Sequence, residues 1–212
     1  MTDYEKLHKL FNKLERFSYP YDEAKISKNG IYILFEKGEQ FKGFNRVVRI
    51  GSHTGNNTLL TRINEHYIKD DHRDSIFRKH LGRCFLIINK KNDYIENWNL
   101  KIKRKVDKER NLPRINWEIE NEYEQIITKY IQDSFSFVTI PSLTNEKERI
   151  RLEKGLIATI AQAIEKESSD NWIGNHHPDI KIRNNKLWNI QHLSGTPLTE
   201  VEIKEIEKKL KK

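Results

Sequence analysis

Arg62 and His66 bring two reactive side chains together in the segment LLTRINEHY. The apolar residues of this segment recur at helical spacing, and residues four apart lie side by side on one helical face. A guanidinium binds phosphate or carboxylate oxygens in a bidentate manner, and an imidazole transfers protons near neutral pH. The two side chains therefore lie close enough to act at one site.

A carboxylate, Glu153, falls on the apolar stripe of a second helix, predicted over residues 145–164. The stripe consists of Ile150, Ile157, Ile160 and Ile164. A carboxylate that faces a core is costly unless it is paired or binds a metal. From the residues alone, three interpretations stay open: an ion pair with an arginine, an exposed start of the stripe, or a metal ligand.

Two segments before the Arg62 helix alternate in the manner of β-strands. In residues 30–37 the two faces are Ile31, Ile33 and Phe35 against Tyr32, Leu34 and Glu36. Residues 46–51 are expected to extend these faces, in the same order, with Val48 and Ile50 against Val47 and Arg49. Gly38 and Gly43 lie between the segments and predict a hairpin. Tyr32 and Arg49 should therefore be neighbours on one face of a sheet.

The remaining segments predict helices and strands around this hairpin. Helices are expected over residues 3–17, 75–81, 118–131 and 199–211, the last opened by a capping box at Thr199 and Glu202, and strands over residues 84–89 and 134–140. Residues 90–113 are mostly charged and read either as an exposed insertion or as a mobile arm. We predict one domain over residues 1–212 of class α/β (α+β), with a small mixed, mostly antiparallel sheet flanked by helices.

Composition restricts the class of the protein, its compartment and its partners. The chain has 212 residues and one cysteine, Cys84, which excludes a disulfide framework and a thiolate metal cage. It contains no apolar stretch of membrane-span length and no signal-peptide pattern, so we expect a cytoplasmic protein without a membrane partner. The net charge of +8 favours a polyanionic partner, although a merely lysine-rich protein would carry the same charge.

A basic cluster lies at the joint between the predicted helix and strand near residue 82: Arg78, Lys79, His80 and Arg83. It can be a solvated face or a surface that binds nucleic-acid phosphates, and we expect the second. The histidines at 176, 177 and 192 lack the spacing of a zinc site.

Several of these segments together resemble the core of a GIY-YIG nuclease. The resemblance rests on Gly30-Ile31-Tyr32, the hairpin, Arg49-Ile50-Gly51 and the helix with Arg62. The later segment RLEKGLIATIA is similar to the one that carries the family's metal-binding glutamate, and Leu187-Trp188-Asn189 with Gln191-His192 is similar to the closing segment of a restriction-enzyme-like branch. The chain departs from the family in having Arg49 in place of the second tyrosine and a longer spacer over residues 33–48.

The resemblance implies a role for each matching residue. Glu153 would bind Mg²⁺ or Mn²⁺, and magnesium commonly takes one or two carboxylates together with waters and substrate phosphate. Arg62 would bind the scissile phosphate, and Tyr32 would act as general base toward the attacking water. A free phenol titrates near ~10, so a cation such as Arg49 beside it would favour the phenolate. His66 would relay the proton from Tyr32, and Asn189 would orient metal-bound water or phosphate.

The implied function is a metal-dependent endonuclease that hydrolyses DNA, most readily double-stranded DNA, in restriction or phage conflict. Two alternatives stay open: a catalytically inactive nucleic-acid-binding relative, and a nuclease directed at RNA. Charge does not separate DNA from RNA, because both polymers present phosphates. A homodimer is compatible with either activity.

Overall fold

The computed structural model describes residues 1–141 and 146–210. Within these ranges the strands are β1 (Phe17–Ser18), β2 (Gly30–Phe41), β3 (Phe44–Gly51) and β4 (Phe135–Pro141). The helices there are α1 (Asp3–Phe11), α2 (Leu59–Tyr67), α3 (Ile76–Ile88), α4 (Ile95–Trp98), α5 (Lys105–Asn111), α6 (Trp117–Ser134), α7 (Glu146–Ala161), α8 (Ile180–Asn185) and α9 (Glu200–Leu210). Short 3-10 turns cover Glu23–Lys25, Asn92–Tyr94, Leu112–Arg114 and Ile173–His176.

The sheet has the strand order β1-β4-β2-β3, with the longest strand, β2, between two neighbours. Every pairing between the described strands is antiparallel, so the sheet expected to be mixed contains antiparallel pairs only. Apolar side chains cover both of its faces. Tyr32 and Leu34 pack with α2, α3 and α6, while Ile31 and Ile33 pack with α1, α7 and α9. The predicted class, a small antiparallel sheet flanked by helices, is confirmed.

A β-bulge in β3 changes which way its side chains face. Leu34 pairs with Arg49, but the next residue, Phe35, pairs with Val47, so Val48 has no partner in the ladder. Val48 consequently packs on the Tyr32 side and Val47 on the opposite side, the reverse of the prediction. The expected placement of Arg49 beside Leu34 and Tyr32 is confirmed.

The first predicted helix is shorter than expected. It ends at Phe11, where Asn12 caps it, and residues 17 and 18 pair with β4 instead of continuing it. In the hairpin, β2 continues to Phe41 and the chain reverses at Lys42 and Gly43, which both have positive φ angles of 48° and 81°.

The helix predicted over residues 75–81 is confirmed, but the strand predicted over residues 84–89 is wrong, because the helix continues to Ile88 as α3. The run around Cys84 is almost wholly apolar because α3 is buried on several sides, and periodicity cannot distinguish such a helix from a buried strand. Gly82 does not end the helix. It lets the ring of Trp98 lie against the backbone, where a Cβ atom would stand 2.2 Å from Cζ2.

The charged segment 90–113 is only partly an exposed insertion. Trp98 is fully buried and stacks on His72 with ring centroids 3.6 Å apart, a core contact that the sequence pattern did not reveal. The prediction for α7 also fails at its end: the helix stops at Ala161, and Ile164 is 96% exposed instead of completing the stripe. Residue 145, where this helix was expected to begin, lies outside the described residues. The capping box of α9 is confirmed, with Thr199 N–H donating to Glu202 at 2.8 Å.

Candidate active site

A cleft of about 690 Å³ opens where the ends of β2 and β3 meet α2, α7 and the segment after Leu187. Five of the six residues expected at a catalytic site line it: Tyr32, Arg49, Arg62, Glu153 and Asn189. The sixth, His66, is fully buried directly behind Tyr32. Residues that are up to 157 positions apart in the sequence therefore share one cavity.

A hydrogen-bonded chain connects Tyr32 to the start of α3. Tyr32 Oη lies 2.8 Å from His66 Nε2, and His66 Nδ1 lies 2.7 Å from Ser75 Oγ. Ser75 caps α3 by accepting the N–H of Arg78 at 3.2 Å. Burial, followed by the charges of Arg62, Arg49 and Arg78, lowers the pKa of His66 well below its usual range. The imidazole is therefore neutral and can accept a hydrogen bond from the phenol.

Gly51 sets the position of the Tyr32 ring. The two residues pair across β2 and β3, and the phenol lies over the Gly51 backbone. A Cβ atom at residue 51 would stand 2.3 Å from Tyr32 Oη and 2.5 Å from its Cζ. Only glycine permits this approach, so the glycine of the Arg49-Ile50-Gly51 segment has a steric role.

Arg49 is a buried cation without a neutralising carboxylate in the described ranges. Its side chain is 5% exposed, donates to the carbonyl of Trp188 at 2.6 Å and lies over the ring of Phe77 at 5.3 Å. Its Nε has no hydrogen-bond partner among the described residues. A buried charge that is not paired is costly, so this guanidinium is suited to bind an anion that enters the cleft.

Arg62 also lines the cleft and is held by two oxygen acceptors. It donates to Glu65 at 2.7 Å and to the carbonyl of Asp74 at 3.0 Å. Burial acts to lower its pKa, but the neighbouring Tyr32 phenol and Glu65 outweigh burial and raise it. Arg62 therefore keeps its charge and lies close to Tyr32.

Glu153 projects from α7 toward the first residue after β3. Its carboxylate accepts the backbone N–H of Ser52 at 3.1 Å and the Ser52 hydroxyl at 2.5 Å. No buried arginine pairs with Glu153 in the described part of the chain, which disfavours the ion-pair interpretation. A single partly exposed carboxylate held at a cleft fits the donor set of a magnesium or manganese ion that keeps most of its waters.

A second set of possible metal ligands within residues 1–141 and 146–210 lies elsewhere, between the start of α3 and α6. The ligand atoms of Asp71, His72 and Glu124 lie within 4.8 Å of one another. However, Glu124 already accepts two bonds from Arg78, and His72 Nε2 lies 3.0 Å from the carbonyl of Trp98. These atoms are engaged in a buried charge network and do not fit a metal centre.

Asn189 binds the protein backbone and not the interior of the cleft. Its Oδ1 accepts the N–H of Ile50 at 3.1 Å and its Nδ2 donates to the Ile50 carbonyl at 2.8 Å. Next to it, Trp188 N–H donates to the carbonyl of the bulged Val48 at 2.8 Å. Both polar groups of Asn189 are thereby used to hold the outer edge of β3, which differs from the expected contact with water or phosphate.

The basic cluster does not form the shared phosphate-binding surface that we expected. Arg78 is fully buried and donates to Glu124 at 2.5 and 3.0 Å, so it is a structural ion pair. His80 is also fully buried. Lys79 and Arg83 are half-buried, and Arg83 donates to Asn99 at 2.6 Å. Burial, with Arg83 and Arg73 nearby, lowers the pKa of Lys79 to about 8, which weakens it as a cation.

Sequence reasoning missed the residues that orient these side chains. Ser52 holds Glu153, Ser75 holds His66, and His53 accepts the N–H of Gly30 at 3.2 Å while its other nitrogen lies 2.9 Å from Thr58. The sequence carried a signal for Ser75, because serine is a preferred N-cap residue and Ser75 caps α3. Ser52 and His53 follow Gly51 directly, but nothing in their types reveals which distant side chain they contact.

The antiparallel sheet, its flanking helices and the cleft at the strand ends define an α/β fold of the type expected from the Gly30-Ile31-Tyr32 and Arg49-Ile50-Gly51 segments. A family model described as the GIY-YIG domain matches residues 2–210, and the chain belongs to this family. Membership points to an endonuclease that acts on nucleic acid. No curated protein and no solved structure matches the chain. Of the helices in the described ranges, none is long and apolar enough to cross a membrane.

Proposed function

We propose that residues 1–212 act as a single metal-dependent endonuclease domain that hydrolyses phosphodiester bonds of double-stranded DNA. The observation that carries the proposal is the Tyr32–His66 hydrogen bond of 2.8 Å in a cleft that also holds Arg49, Arg62 and Glu153. A phenol with an acceptor behind it, two cations and a carboxylate supply the groups that phosphodiester hydrolysis needs.

Proton transfer is assigned to Tyr32 with the support of His66. With its proton on Nδ1, toward Ser75, His66 accepts the phenol O–H at Nε2 and orients Tyr32 Oη toward water in the cleft. As the water attacks phosphorus, Oη takes the water's proton and the phenol proton moves to Nε2. Burial, and after it the charges of three arginines, disfavour the imidazolium in the resting state. The negative charge that develops on the phosphate offsets their effect during the reaction.

Binding of the scissile phosphate is assigned to Arg49 and Arg62. Arg49 has the unused donor Nε and no carboxylate partner within the described residues, and it occupies the position of the second tyrosine of the family. Its guanidinium can stabilise the negative charge that develops on the phosphate next to Tyr32. Arg49 thus replaces a proton-bearing group by a permanent cation.

The metal is assigned to Glu153. Family members generally use divalent ions, and we propose Mg²⁺, or Mn²⁺ in its place. When bound, the ion neutralises phosphate charge and stabilises the leaving oxygen. Ser52 holds the Glu153 carboxylate through hydrogen bonds of 3.1 and 2.5 Å, so that the carboxylate faces the cleft.

The choice of double-stranded DNA is supported by the resemblance to restriction-type members and by the net charge of +8, which favours a polyanion. A role in restriction or phage conflict, in the cytoplasm and in a homodimer, belongs to the same proposal.

The test is cleavage of supercoiled plasmid, and separately of a structured RNA, by the purified protein with Mg²⁺ or with Mn²⁺, followed by mapping of the ends. We expect plasmid cleavage, reduced about a thousandfold or more in Glu153→Gln while metal-free DNA affinity is retained. Glu118→Gln, an exposed glutamate on α6, is the matched control and should cleave normally. Cleavage of RNA alone would contradict the DNA assignment, and binding without cleavage of either polymer would make the chain an inactive relative.

A further inference from the structure

One ring nitrogen of His80 has two hydrogen-bonding neighbours, and the other has none among the described residues. Its ring is fully buried in the wall of the cleft, together with Arg49 and Trp188. Nδ1 lies 3.0 Å from His177 Nε2 and 3.1 Å from Arg83 Nη1. Nε2 is buried and has no hydrogen-bond partner among the described residues.

The neighbours of His80 determine which nitrogen carries the proton. The backbone N–H of Asp179 donates to His177 Nδ1 at 2.9 Å, which leaves the proton of His177 on Nε2. His177 Nε2–H therefore donates to His80 Nδ1. Arg83 reaches the same atom, and a guanidinium has donors only. Two independent donors thus converge on His80 Nδ1, and the proton of the neutral ring lies on Nε2.

Both rings are neutral. Burial, followed by His177, Arg83, Arg49 and Lys79, lowers the pKa of His80 well below its usual range. Burial, with Arg83 next in effect, lowers the pKa of His177 to about 4. His80 therefore does not bind a phosphate as a cation, as the basic cluster had led us to expect. It presents a neutral N–H donor whose tautomer is fixed from behind.

A second unpartnered donor lies nearby. Arg49 Nε is also buried without a hydrogen-bond partner in the described ranges, and its charge is close enough to act on His80. Buried N–H groups without an acceptor are rare in folded proteins because the missing bond is unfavourable. Both residues line one cleft, so a single acceptor that enters the cleft can satisfy both donors.

We propose that His80 is a substrate-contacting residue whose Nε2–H donates to a non-bridging oxygen of the phosphodiester bound by Arg49, and that His177 is the residue that positions it. The proposal rests on the proposed function of the cleft and deepens it. A neutral donor adds a hydrogen bond to the phosphate without adding a third positive charge beside the two arginines.

The first test separates the two nitrogens of His80 by substitution. His80→Gln keeps a donor at the position of Nε2, whereas His80→Asn keeps an acceptor at the position of Nδ1 and loses that donor. In single-turnover cleavage with saturating Mg²⁺, we expect His80→Asn to be about tenfold to a hundredfold slower, which corresponds to one hydrogen bond to a charged group. His80→Gln should recover most of the rate. His176→Asn, at the exposed neighbour of His177, is the control and should match wild type.

The second test uses DNA in which sulfur replaces one non-bridging oxygen, as separate diastereomers. Sulfur is a weak acceptor, so one diastereomer should slow wild type, and this effect should disappear in His80→Asn because the two changes remove the same bond. Mn²⁺ should not restore the rate, which distinguishes His80 from a metal contact. Additive effects of sulfur and His80→Asn, with melting temperatures equal to wild type, would overturn the proposal.

A third measurement does not depend on cleavage. In the ¹⁵N spectrum of histidine-labelled protein, assigned with His80→Gln, the free protein should show His80 protonated at Nε2, and a DNA duplex added without metal should shift that resonance. If wild type cleaves nothing but the shift occurs, the proposed function fails and the phosphate contact stands. A proton on Nδ1, a resonance unmoved at saturating duplex, or no binding of duplex would refute the contact.

Discussion

Substitution of Gly51 by alanine should slow cleavage because it displaces the side chain of Tyr32 alone. The new Cβ would stand 2.3 Å from Tyr32 Oη and 2.5 Å from Cζ, well inside ordinary van der Waals contact. To restore a normal carbon–oxygen separation, the phenol must move by about 1 Å. Tyr32 is 1% exposed and its hydroxyl group bonds to His66, so the phenol cannot move by that distance and keep the bond.

The size of the effect follows from that displacement. A movement of about 1 Å breaks the hydrogen bond to His66 and misplaces the group assigned as general base, and misplacement on this scale costs about a hundredfold in rate. Forcing a methyl group into a packed site also lowers the free energy of unfolding by about 1–3 kcal/mol. We therefore expect a protein that still folds but cleaves about a hundredfold more slowly.

The assay is single-turnover cleavage of plasmid, measured well below the melting temperatures of all variants. Gly82→Ala is the matched control, because its Cβ would stand 2.2 Å from Trp98 Cζ2, outside the residues that line the cleft. It should lose similar stability and cleave at the wild-type rate. A wild-type rate in Gly51→Ala, or an equal loss of rate in both variants, would show that the position of Tyr32 over Gly51 does not limit the reaction.

Three further predictions concern the buried charged groups and the cations that bind DNA. Burial raises the pKa of the Glu36 carboxyl, although hydrogen bonds from Tyr130, Trp188 and Trp172 act to lower it. The free energy of unfolding of wild type, relative to that of Glu36→Gln, should therefore be greatest below pH 4.5 and fall as pH rises through the pKa of the folded state. Urea unfolding of both proteins from pH 4 to 8 measures this difference. Arg78→Leu should lower the unfolding free energy by about 3–5 kcal/mol because it leaves Glu124 buried without its main partner, whereas Lys79→Met should change it far less. The logarithm of DNA affinity should fall linearly with the logarithm of salt concentration, and a flat plot would contradict phosphate binding by cations.

The sequence predicted the parts of the fold that have a clear period. The alternation of β2 and β3 placed Tyr32 and Arg49 together, whereas Arg62 and Glu153 were assigned to the same site only through the resemblance to the GIY-YIG family. The sequence also had limits. It could not predict the bulge at Val48, since one unpaired residue leaves the composition of a strand unchanged. It also misread α3, because a helix buried on several sides loses the polar face that marks its period.

Side-chain partners were the least predictable feature. Arg78 and Arg49 are the same residue type in basic surroundings, yet Arg78 is neutralised by Glu124 from α6 and Arg49 has no carboxylate partner among the described residues. Nothing local to either residue distinguishes them, because the partner of Arg78 lies 46 positions away. The tautomer of His80 likewise depends on His177, 97 positions later. Such contacts are determined by packing and not by local pattern.

The clamp on the outer edge of β3 determines when the cleft can be completed during synthesis. Arg46 donates to the carbonyl of Lys186 at 2.5 Å, and Arg49 donates to that of Trp188. Asn189 accepts the N–H of Ile50 and donates to its carbonyl. A ribosome delivers β3 long before it delivers residues 186–189, so in the nascent chain this edge has no cover and Arg49 has no carbonyl to fix it. An uncovered edge strand invites pairing with other chains.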